Sequence, residues 1–280
     1  MFKKMILVTV ILFVCLATLR SLSAKDNNAS PTTREMNLIS WQEFQQLVPG
    51  KIETVLLPVG TLEPHGVIPN GSDNLAPEAM ARAIAERLNA MIAPTLNYGV
   101  TGSMQAFPGA FAISKEAYRL FNADILRGLA ENKFKNIIIL NGHGGPQTAI
   151  LREAADAVSA DKRVRILAIN WWSLASEETF AVFGENGGHA GNNETAYIQA
   201  IVPQFVHPKQ YSKEMTTPFP KGTSWHAVPF PSSIGLYEKG QGFPTFNKKQ
   251  AQEYFDRVNN RVAGLIEDIT KKWDLAGLYR

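Results

Sequence analysis

The hydrophobic positions of the chain alternate between short continuous runs and longer stretches with helical spacing. Short continuous apolar runs are typical of buried strands, and they predict strands at 54–59, 91–94, 136–140 and 164–169. Stretches with the spacing and end signals of amphipathic helices predict helices at 76–88, 114–132, 144–158, 194–201 and 250–273. This alternation favours an α/β domain with a mostly parallel central sheet.

Residues 203–245 interrupt the alternation, because they are rich in proline, glycine and aromatic residues and predict long loops. Neither an internal repeat nor a linker-like segment divides the chain after residue 24. The sequence therefore predicts a single domain over residues 25–280.

The first 24 residues have the three-part pattern of a secretory signal peptide. Lys3 and Lys4 precede the apolar run 5–19, and small residues and a polar stretch follow it. A run of about 15 residues is shorter than the roughly 20 that a membrane-spanning helix needs. We therefore expect a signal peptide over 1–24 and a periplasmic or secreted mature chain with no stable membrane span. An uncleaved signal anchor is the alternative.

The composition is that of a globular protein, with 45% hydrophobic and 19% charged residues, which excludes a disordered or fibrous chain. The 28 basic residues exceed the 25 acidic ones by three, and Lys3, Lys4 and Arg20 of the predicted signal peptide account for that excess. A neutral mature chain gives no electrostatic reason to expect nucleic acid as a partner. The single cysteine, Cys15, also lies in this segment, so we expect no disulfides in the mature chain.

Carboxylate and imidazole side chains follow the first predicted strand. Glu63 and His65 are two residues apart, so on an extended backbone they point to the same side. Asp73 comes after the turn-prone stretch 69–71, which allows the chain to fold back towards them. The alternative interpretation of this segment is an ordinary polar loop.

His143 follows the clearest predicted strand, in the motif Asn-Gly-His-Gly-Gly. It therefore belongs to the edge of the sheet where open α/β proteins bind ligands. With Glu63, His65 and Asp73 it makes a nitrogen and oxygen donor set suited to Zn²⁺, Mn²⁺ or Fe²⁺. A bridging Asp73 between two metals would suit hydrolysis, since bound water is then ionised near neutral pH. The alternative is a turn in which hydrogen bonds satisfy His143.

A second glycine-rich motif, GGHAGNNET, contains His189 and Glu194. The alternative to a functional role here is a polar loop that caps the following helix through Asn192 or Asn193.

Four segments together resemble the creatininase family of metal-dependent hydrolases: LPVGTLEPHGVIPNGSD, FPGAFAIS, NKFKNIIILNGHGG and GGHAGNNETA. They occur in the order found in that family and cover residues 52–200. The resemblance implies a three-layer α/β/α fold, with the site at the carboxyl end of a parallel sheet, and a homo-oligomer. It also implies a small-molecule amide substrate and one or two divalent metal ions, with Zn²⁺ expected before Mn²⁺ or Fe²⁺.

The resemblance assigns roles residue by residue. It makes five residues metal ligands: Glu63, His65, Asp73, His143 and Glu194. Asp73 is the expected bridge between two ions. His189 is the expected catalytic proton carrier, with Glu194 assisting it.

The pocket wall is expected from residues beside these ligands. Trp171 and Trp172 follow a predicted strand, and we expect them to wall the pocket, although tryptophans in such positions more often pack in cores or loops. Backbone N–H groups of Gly144 and Gly145, at a helix N-terminus, would face a developing oxyanion.

Three departures from the family pattern concern the second metal and the pocket. Creatininase has a glutamate ligand where this chain has Gly145, so another donor must replace it or the second site is lost. The loop between His65 and Asp73 is one residue shorter and lacks the family's second histidine. Asn192 replaces the glutamate that usually follows the His-Ala-Gly motif. These changes favour a small amide other than creatinine.

The sequence thus predicts an exported amidohydrolase in which metal-activated water cleaves a C–N bond of a small cyclic amide, a formamide or a short peptide. The alternative is a non-catalytic extracytoplasmic protein that binds a metal or a small ligand on the same fold. A serine hydrolase is disfavoured, because the nearest approach to a G-x-S-x-G motif, at 222–226, ends in histidine.

Overall fold

The computed structural model describes residues 31–279. Residues 33–280 form one compact unit, and the other unit, residues 1–32, lies almost entirely outside the described range. The predicted signal peptide at 1–24 is outside the described residues and stays a prediction. Within the part of the chain that is described, no helix is long and apolar enough to cross a bilayer.

Four parallel strands form the central sheet: β1 (Thr54–Val59), β2 (Ala90–Ile92), β3 (Asn136–Asn141) and β4 (Arg165–Asn170). Their order is β2-β1-β3-β4, so β1 and β3 are the central pair. Both strands are continuous apolar runs because helices cover both faces of the sheet. Val59 pairs with Asn141 at the carboxyl end of this central pair.

Helices precede, separate and follow the strands of the central sheet. In chain order they are α1 (Trp41–Leu47), α2 (Ser72–Ile84), α3 (Lys115–Glu131), α4 (Gly145–Lys162), α5 (Trp171–Leu174), α6 (Ser176–Phe183), α7 (Asn192–Ile201) and α8 (Lys248–Leu275). Ser114 caps α3 by accepting a hydrogen bond from the Ala117 backbone N–H, as its position before the apolar periodicity predicts.

The strands divide their side chains between two apolar layers. One layer joins the sheet to α2, α7 and α8 and includes the strand residues Leu56, Ile138, Leu140 and Ile169. The other joins it to α1, α3 and α4 and includes Val55, Leu57, Val59, Ile137 and Ile139. Alternate residues of a strand point to opposite faces, so one apolar run supplies both layers. The predicted three-layer α/β/α fold is confirmed.

Residues 203–245 contain more than the predicted loops. Strands β6 (Thr216–Pro218) and β7 (Ile234–Leu236) join β5 (Gly188–His189) in a second, three-stranded sheet of order β5-β7-β6. The hydrophobic pattern does not reveal this sheet, because strands of two or three residues are too short to show an alternation. Its importance is that β5 ends at His189.

Candidate metal centre

The site lies at the carboxyl edge of the central strand pair. The loop after β1 holds Glu63 and His65, and the loop after β3 holds His143. All three residues are buried. The structure therefore brings these side chains to the edge where α/β sheets bind ligands.

Helix α2 brings Asp73 to the same place. It begins at Ser72, earlier than predicted, so Asp73 lies in its first turn. A Cβ atom on Gly60 or on Gly142 would lie only 2.2 or 1.9 Å from the backbone carbonyl oxygen of Asp73. Pro77, four residues further on, has no N–H to donate to that carbonyl. The two glycines therefore let the first turn of α2 lie directly against the strand ends.

Asp73 faces a different histidine with each carboxylate oxygen. Its Oδ1 lies 2.9 Å from His65 Nε2, and its Oδ2 lies 2.8 Å from His143 Nδ1. Glu63 Oε1 lies 3.3 Å from the same His143 nitrogen, and Glu194 Oε2 lies 3.7 Å from His65 Nε2. Two donor groups share Asp73, each with its ligand atoms within 4.8 Å of one another: Glu63–Asp73–His143 and His65–Asp73–Glu194.

Each histidine of the site donates one ring N–H to a backbone carbonyl. The acceptors are Glu63 for His65, Val100 for His143 and Pro64 for His189, at 3.0, 3.1 and 2.7 Å. A nitrogen bonded in this way keeps its proton, so the other ring nitrogen is the atom that can bind a second proton or a cation. Those nitrogens are His65 Nε2, His143 Nδ1 and His189 Nδ1, and all three face carboxylates of the site.

Asn141, at the end of β3, orients the His143 loop, whereas its sequence motif indicates only a turn. Its Oδ1 accepts hydrogen bonds from the His143 backbone N–H at 3.2 Å and from Gln147 Nε2 at 3.1 Å. Its Nδ2 donates to the His143 carbonyl at 2.6 Å and to Asn170 Oδ1 at 2.8 Å. A polar side chain directly after the apolar run 137–140 is the signal in the sequence that could identify it.

His189 and Glu194 reach the site from β5 and α7. His189 Nδ1 lies 3.4 Å from Glu63 Oε1, and its ring contacts that of His65 with centroids 4.3 Å apart. Glu194 Oε2 also accepts a hydrogen bond from the Ala190 backbone N–H at 2.7 Å. Gly191, rather than an asparagine, is the N-cap of α7. Glu194 therefore satisfies a backbone donor at the helix end and is also part of the donor set.

Buried carboxylates favour protons on two of the histidines. Burial opposes a charged His65, but Asp73, Glu194 and Glu63 together raise its pKa to about 10. Burial likewise opposes a charged His143, and the carboxylates of Glu63 and Asp73 raise its pKa well above the usual value. The carboxylates therefore stabilise a positive charge on both imidazoles that face Asp73, one in each donor group.

For His189 and Glu194, burial favours the neutral form of the side chain. Burial, followed by repulsion from a charged His65, lowers the pKa of His189 to about 4. Burial raises the pKa of Glu194 to about 7, although His65 opposes that change. His189 is therefore neutral at pH 7.

The donor set fits divalent cations. Imidazole nitrogens and carboxylate oxygens are ligands of Zn²⁺, Mn²⁺ and Fe²⁺. Glu63 Oε2 is buried and has no hydrogen-bond partner among the described residues, and such an atom is costly unless something binds it. A cation beside Glu63 would satisfy this oxygen and would replace the protons that the cluster holds.

A cavity of about 300 Å³ opens onto these ligands. Gly144 and Gly145 line it, at the start of α4, and so does Trp172. Trp171 does not: it is 2% exposed and packs in the core, with its ring centroid 5.0 Å from that of Tyr197. The expectation that both tryptophans wall the pocket is therefore wrong for Trp171, because consecutive residues at the start of α5 point in different directions.

The rest of the wall comes from residues that the sequence analysis did not select. The small sheet contributes Phe219 and Tyr237, whose ring centroids are 6.2 Å apart. The other additional wall residues are Thr101, Gly102, Ser103, Met104, Gly142, Pro146, Gly188 and Asn193. The aromatic content of 203–245 was the available signal, but nothing in the sequence shows that this segment folds over the sheet edge.

The comparison with known families agrees with this site. The family model described as creatinine amidohydrolase matches residues 37–266, a range that includes every donor of the cluster. The chain belongs to the creatininase family. It is therefore a hydrolase of the class that acts on carbon–nitrogen bonds.

Relatives of this creatininase family member act on different substrates, as their names state. Creatinine amidohydrolase of Pseudomonas putida is 26% identical over 187 residues, which cover 60% of this chain and 72% of the relative. A mycofactocin precursor peptide peptidase of Mycobacterium ulcerans is 29% identical, covering 57% and 62%. A 3-dehydro-scyllo-inosose hydrolase of Thermotoga maritima is 27% identical, covering 55% and 52%.

Solved creatininase structures have the same fold as this family member. A mutant creatininase of the zinc–zinc type superposes with a TM-score of 0.72 at 21% identity, covering 84% of this chain and 98% of the other. A manganese form of creatininase gives a TM-score of 0.70 at 21% identity, with the same coverage.

Proposed function

We propose that this protein is a metal-dependent amidohydrolase that cleaves the C–N bond of a small amide or short peptide. The observation that supports this best is the position of Asp73, whose two oxygens face the imidazoles of two separate donor groups. A carboxylate placed in this way suits a bridge between two cations, and two-metal centres are common in hydrolases.

The residues divide between two metal positions. Glu63, Asp73 and His143 would hold one ion, and His65, Asp73 and Glu194 would hold the other. Glu194 thereby supplies the carboxylate that Gly145 lacks. When bound, such ions polarise the substrate carbonyl and lower the pKa of water. Zn²⁺ is proposed first, since the compared structures are zinc and manganese forms, and Fe²⁺ is compatible with the same ligands.

His189 is placed to hold and move the proton of the reaction. Its Nε2–H is bonded to the Pro64 carbonyl, so its Nδ1 lone pair is available at the cavity, which His189 lines. We assign this atom to accept a proton from the attacking water and to deliver it to the leaving nitrogen. Water adds to the amide carbon, the C–N bond breaks, and the products are a carboxylic acid and an amine.

The neighbouring groups position the substrate. Glu194 stays within reach of the Ala190 N–H, which fixes its carboxylate beside His65. The glycines at the start of α4 leave backbone close to the cavity, and we assign their N–H groups to the developing oxyanion. Trp172 excludes water from one side.

The cellular setting is proposed on separate grounds. The N-terminal pattern supports export to the periplasm or outside the cell after removal of residues 1–24. Family resemblance supports a homo-oligomer. A small amide other than creatinine is favoured because the loop between His65 and Asp73 departs from the family pattern.

The first test is the metal content of residues 25–280, purified and reconstituted with Zn²⁺ or Mn²⁺, and measured by elemental mass spectrometry. We expect about two equivalents per chain and hydrolysis of at least one member of an amide panel. Asp73→Asn should lose most of both ions and at least about 100-fold in activity, because it weakens both donor groups. Asp124→Asn, an exposed aspartate on α3, is the matched control and should change neither.

Two results would overturn the proposal. Full metal content and activity in Asp73→Asn would remove its assignment as the bridge. Failure of the wild-type chain to bind either ion would leave the alternative, a non-catalytic ligand-binding protein on this fold.

A further inference from the structure

A second cavity adjoins the metal-centre cavity. It has a volume of about 240 Å³, compared with about 300 Å³ for the first. Trp172, Asn193 and Tyr237 line both cavities, so these three side chains form the boundary between them. A ligand that passes this boundary would occupy both spaces.

The second cavity is polar but contains no charged side chain. Its further lining residues are Ser173, Ser176, Thr179, Asn186 and Gly187. Hydroxyl and amide groups can donate and accept hydrogen bonds, which suits a neutral group with oxygen and nitrogen atoms. An ionised group would find no counter-charge among these lining residues, so the lining favours a neutral group.

Asn193 is the boundary residue whose side chain is held in position to bind a ligand. It is 4% exposed, and its Oδ1 accepts a hydrogen bond from the Gly188 backbone N–H at 3.0 Å. Its Nδ2 has no hydrogen-bond partner among the described residues. A Cβ on Gly187 would lie 2.2 Å from Asn193 Cγ, so the missing side chain of Gly187 makes room for this amide, and the Gly188 N–H holds it in place.

Two further groups at the boundary are free to bind. Neither the Trp172 indole N–H nor the Tyr237 hydroxyl has a hydrogen-bond partner in the described part of the chain. An N–H group without a protein partner can donate to a ligand at this opening, and a ligand oxygen at the boundary would accept a hydrogen bond from Asn193 Nδ2. Three such groups around one opening are a means of recognising that ligand.

We propose that the substrate of this hydrolase has two parts, and the inference rests on the proposed function. The scissile amide lies in the metal-centre cavity, and a neutral extension that has amide or hydroxyl oxygens lies in the second cavity. Asn193 Nδ2 donates a hydrogen bond to an oxygen of this extension. Asn193 is thus a specificity-determining residue rather than a catalytic one.

Four probes that share an acetamide group test the extension. They are acetamide itself, N-acetyl-glycyl-glycinamide, N-acetylglucosamine, and the anionic N-acetyl-glycyl-aspartic acid α-amide. The metal-loaded chain 25–280 is assayed by mass spectrometry of the products, and affinities are measured in parallel by calorimetry. We expect the better neutral extended probe to exceed both acetamide and the anionic probe at least tenfold in kcat/KM. The peptide and sugar arms distinguish between an amide-rich and a hydroxyl-rich extension.

Variants of residues in the second cavity then test whether this cavity causes the preference for the extended probe. Ser176→Trp fills the second cavity and should reduce the preference for the extended probe at least tenfold, with Ser173→Phe as a second filling variant. Glu177→Trp, on the adjacent exposed position, is the matched control and should keep the preference. Asn193→Asp keeps the oxygen that accepts from Gly188 but loses the amide hydrogens, so it should raise KM for the neutral extended probe.

The outcomes separate the inference from the proposed function. If acetamide is hydrolysed as well as the extended probes, or if the filling variants keep the preference, the second cavity is not a subsite. If no probe is hydrolysed, the proposed function is contradicted for these amides, and calorimetry still decides the inference. Equal affinity of wild type and Ser176→Trp for the neutral extended probe would then overturn it.

Discussion

Asp73 is shared by the two donor groups that contain it, whereas Glu63 and Glu194 each occur in only one of those two groups. His143 Nδ1 lies beside Glu63 and Asp73, and His65 Nε2 lies beside Asp73 and Glu194. Single substitutions of the carboxylates should therefore have graded rather than equal effects on metal content.

Glu194→Gln tests that gradation. The amide oxygen can still accept from the Ala190 N–H, but it lacks the charge that binds a cation. We expect the metal content to fall from about two equivalents to about one, with activity reduced at least about tenfold. Elemental mass spectrometry and an activity assay measure both quantities. Glu177→Gln, an exposed glutamate at the start of α6, serves as control, and unchanged metal content in Glu194→Gln would remove it from the ligand set.

Most of the donor set could be predicted from single residues, because glycine-flanked histidines after apolar strands are a local pattern. Glu63, His65, Asp73 and His143 lie together as the sequence analysis expected. Trp171 could not be placed, because two neighbouring tryptophans have the same composition signal and only the turn of α5 separates the buried one from the pocket-lining one.

At the scale of elements, the contact between α2 and the strand ends determines where Asp73 lies. That contact depends on Gly142 having no side chain. The sequence indicates a turn at this glycine, but not that another helix lies against it, because a contact between residues as distant in the sequence as Gly142 and Asp73 leaves no local pattern.

Gly142→Ala should therefore displace the first turn of α2. A Cβ 1.9 Å from the Asp73 carbonyl oxygen cannot be accommodated without backbone movement, and overpacking of this kind costs about 1–3 kcal/mol of unfolding free energy. Chemical denaturation measures the free energy of unfolding, and elemental mass spectrometry measures the metal content. We expect both quantities to fall.

Gly128→Ala is the matched control with the opposite sign. Gly128 lies within α3, and a Cβ there meets no atom within 4 Å, so alanine should stabilise the helix by up to about 1 kcal/mol. If Gly142→Ala left both stability and metal content unchanged, this account of how Asp73 is positioned would be wrong.

The elements that the sequence does not predict are the short ones. The long strands and helices have enough residues to show a period, and β1 was predicted with its observed bounds. The sheet formed by β5, β6 and β7, and the helices α1, α5 and α6, lack such a signal. They form because the larger elements provide surfaces for them, which is a property of the tertiary fold.

At the scale of the whole molecule, charge in the site links stability to pH. In the metal-free protein the pKa of His65 is about 10, against 6.5 when it is unperturbed. A raised pKa of this kind contributes stability that is fully present below pH 6.5 and is lost as the pH rises through about 10. In the metal-loaded protein the cations, rather than protons, balance the carboxylates.

The difference in Tm between metal-loaded and chelator-treated protein should therefore widen from pH 7.5 to pH 10. This window lies above the pKa values of His189 and Glu194, about 4 and about 7, so those groups do not complicate it. We expect the difference to grow by at least about 5 °C, since about 1 kcal/mol shifts Tm by 2–4 °C in a domain of this size. Calorimetric scans at several pH values measure it, and a constant difference would contradict the assigned charge states of His65 and of His143, whose pKa is also raised.

The hydrogen bonds of the three histidines to backbone carbonyls have a consequence for how this protein can change. Val100 and Pro64 hold their histidines through main-chain oxygens, which are present whatever side chain those positions have. The backbone thus holds these histidines in place, whatever side chains those positions carry. The aromatic wall of Trp172, Phe219 and Tyr237, by contrast, depends on side-chain identity. Substrate specificity can therefore be changed by substituting the wall residues one at a time, while the histidines and their backbone hydrogen bonds stay as they are.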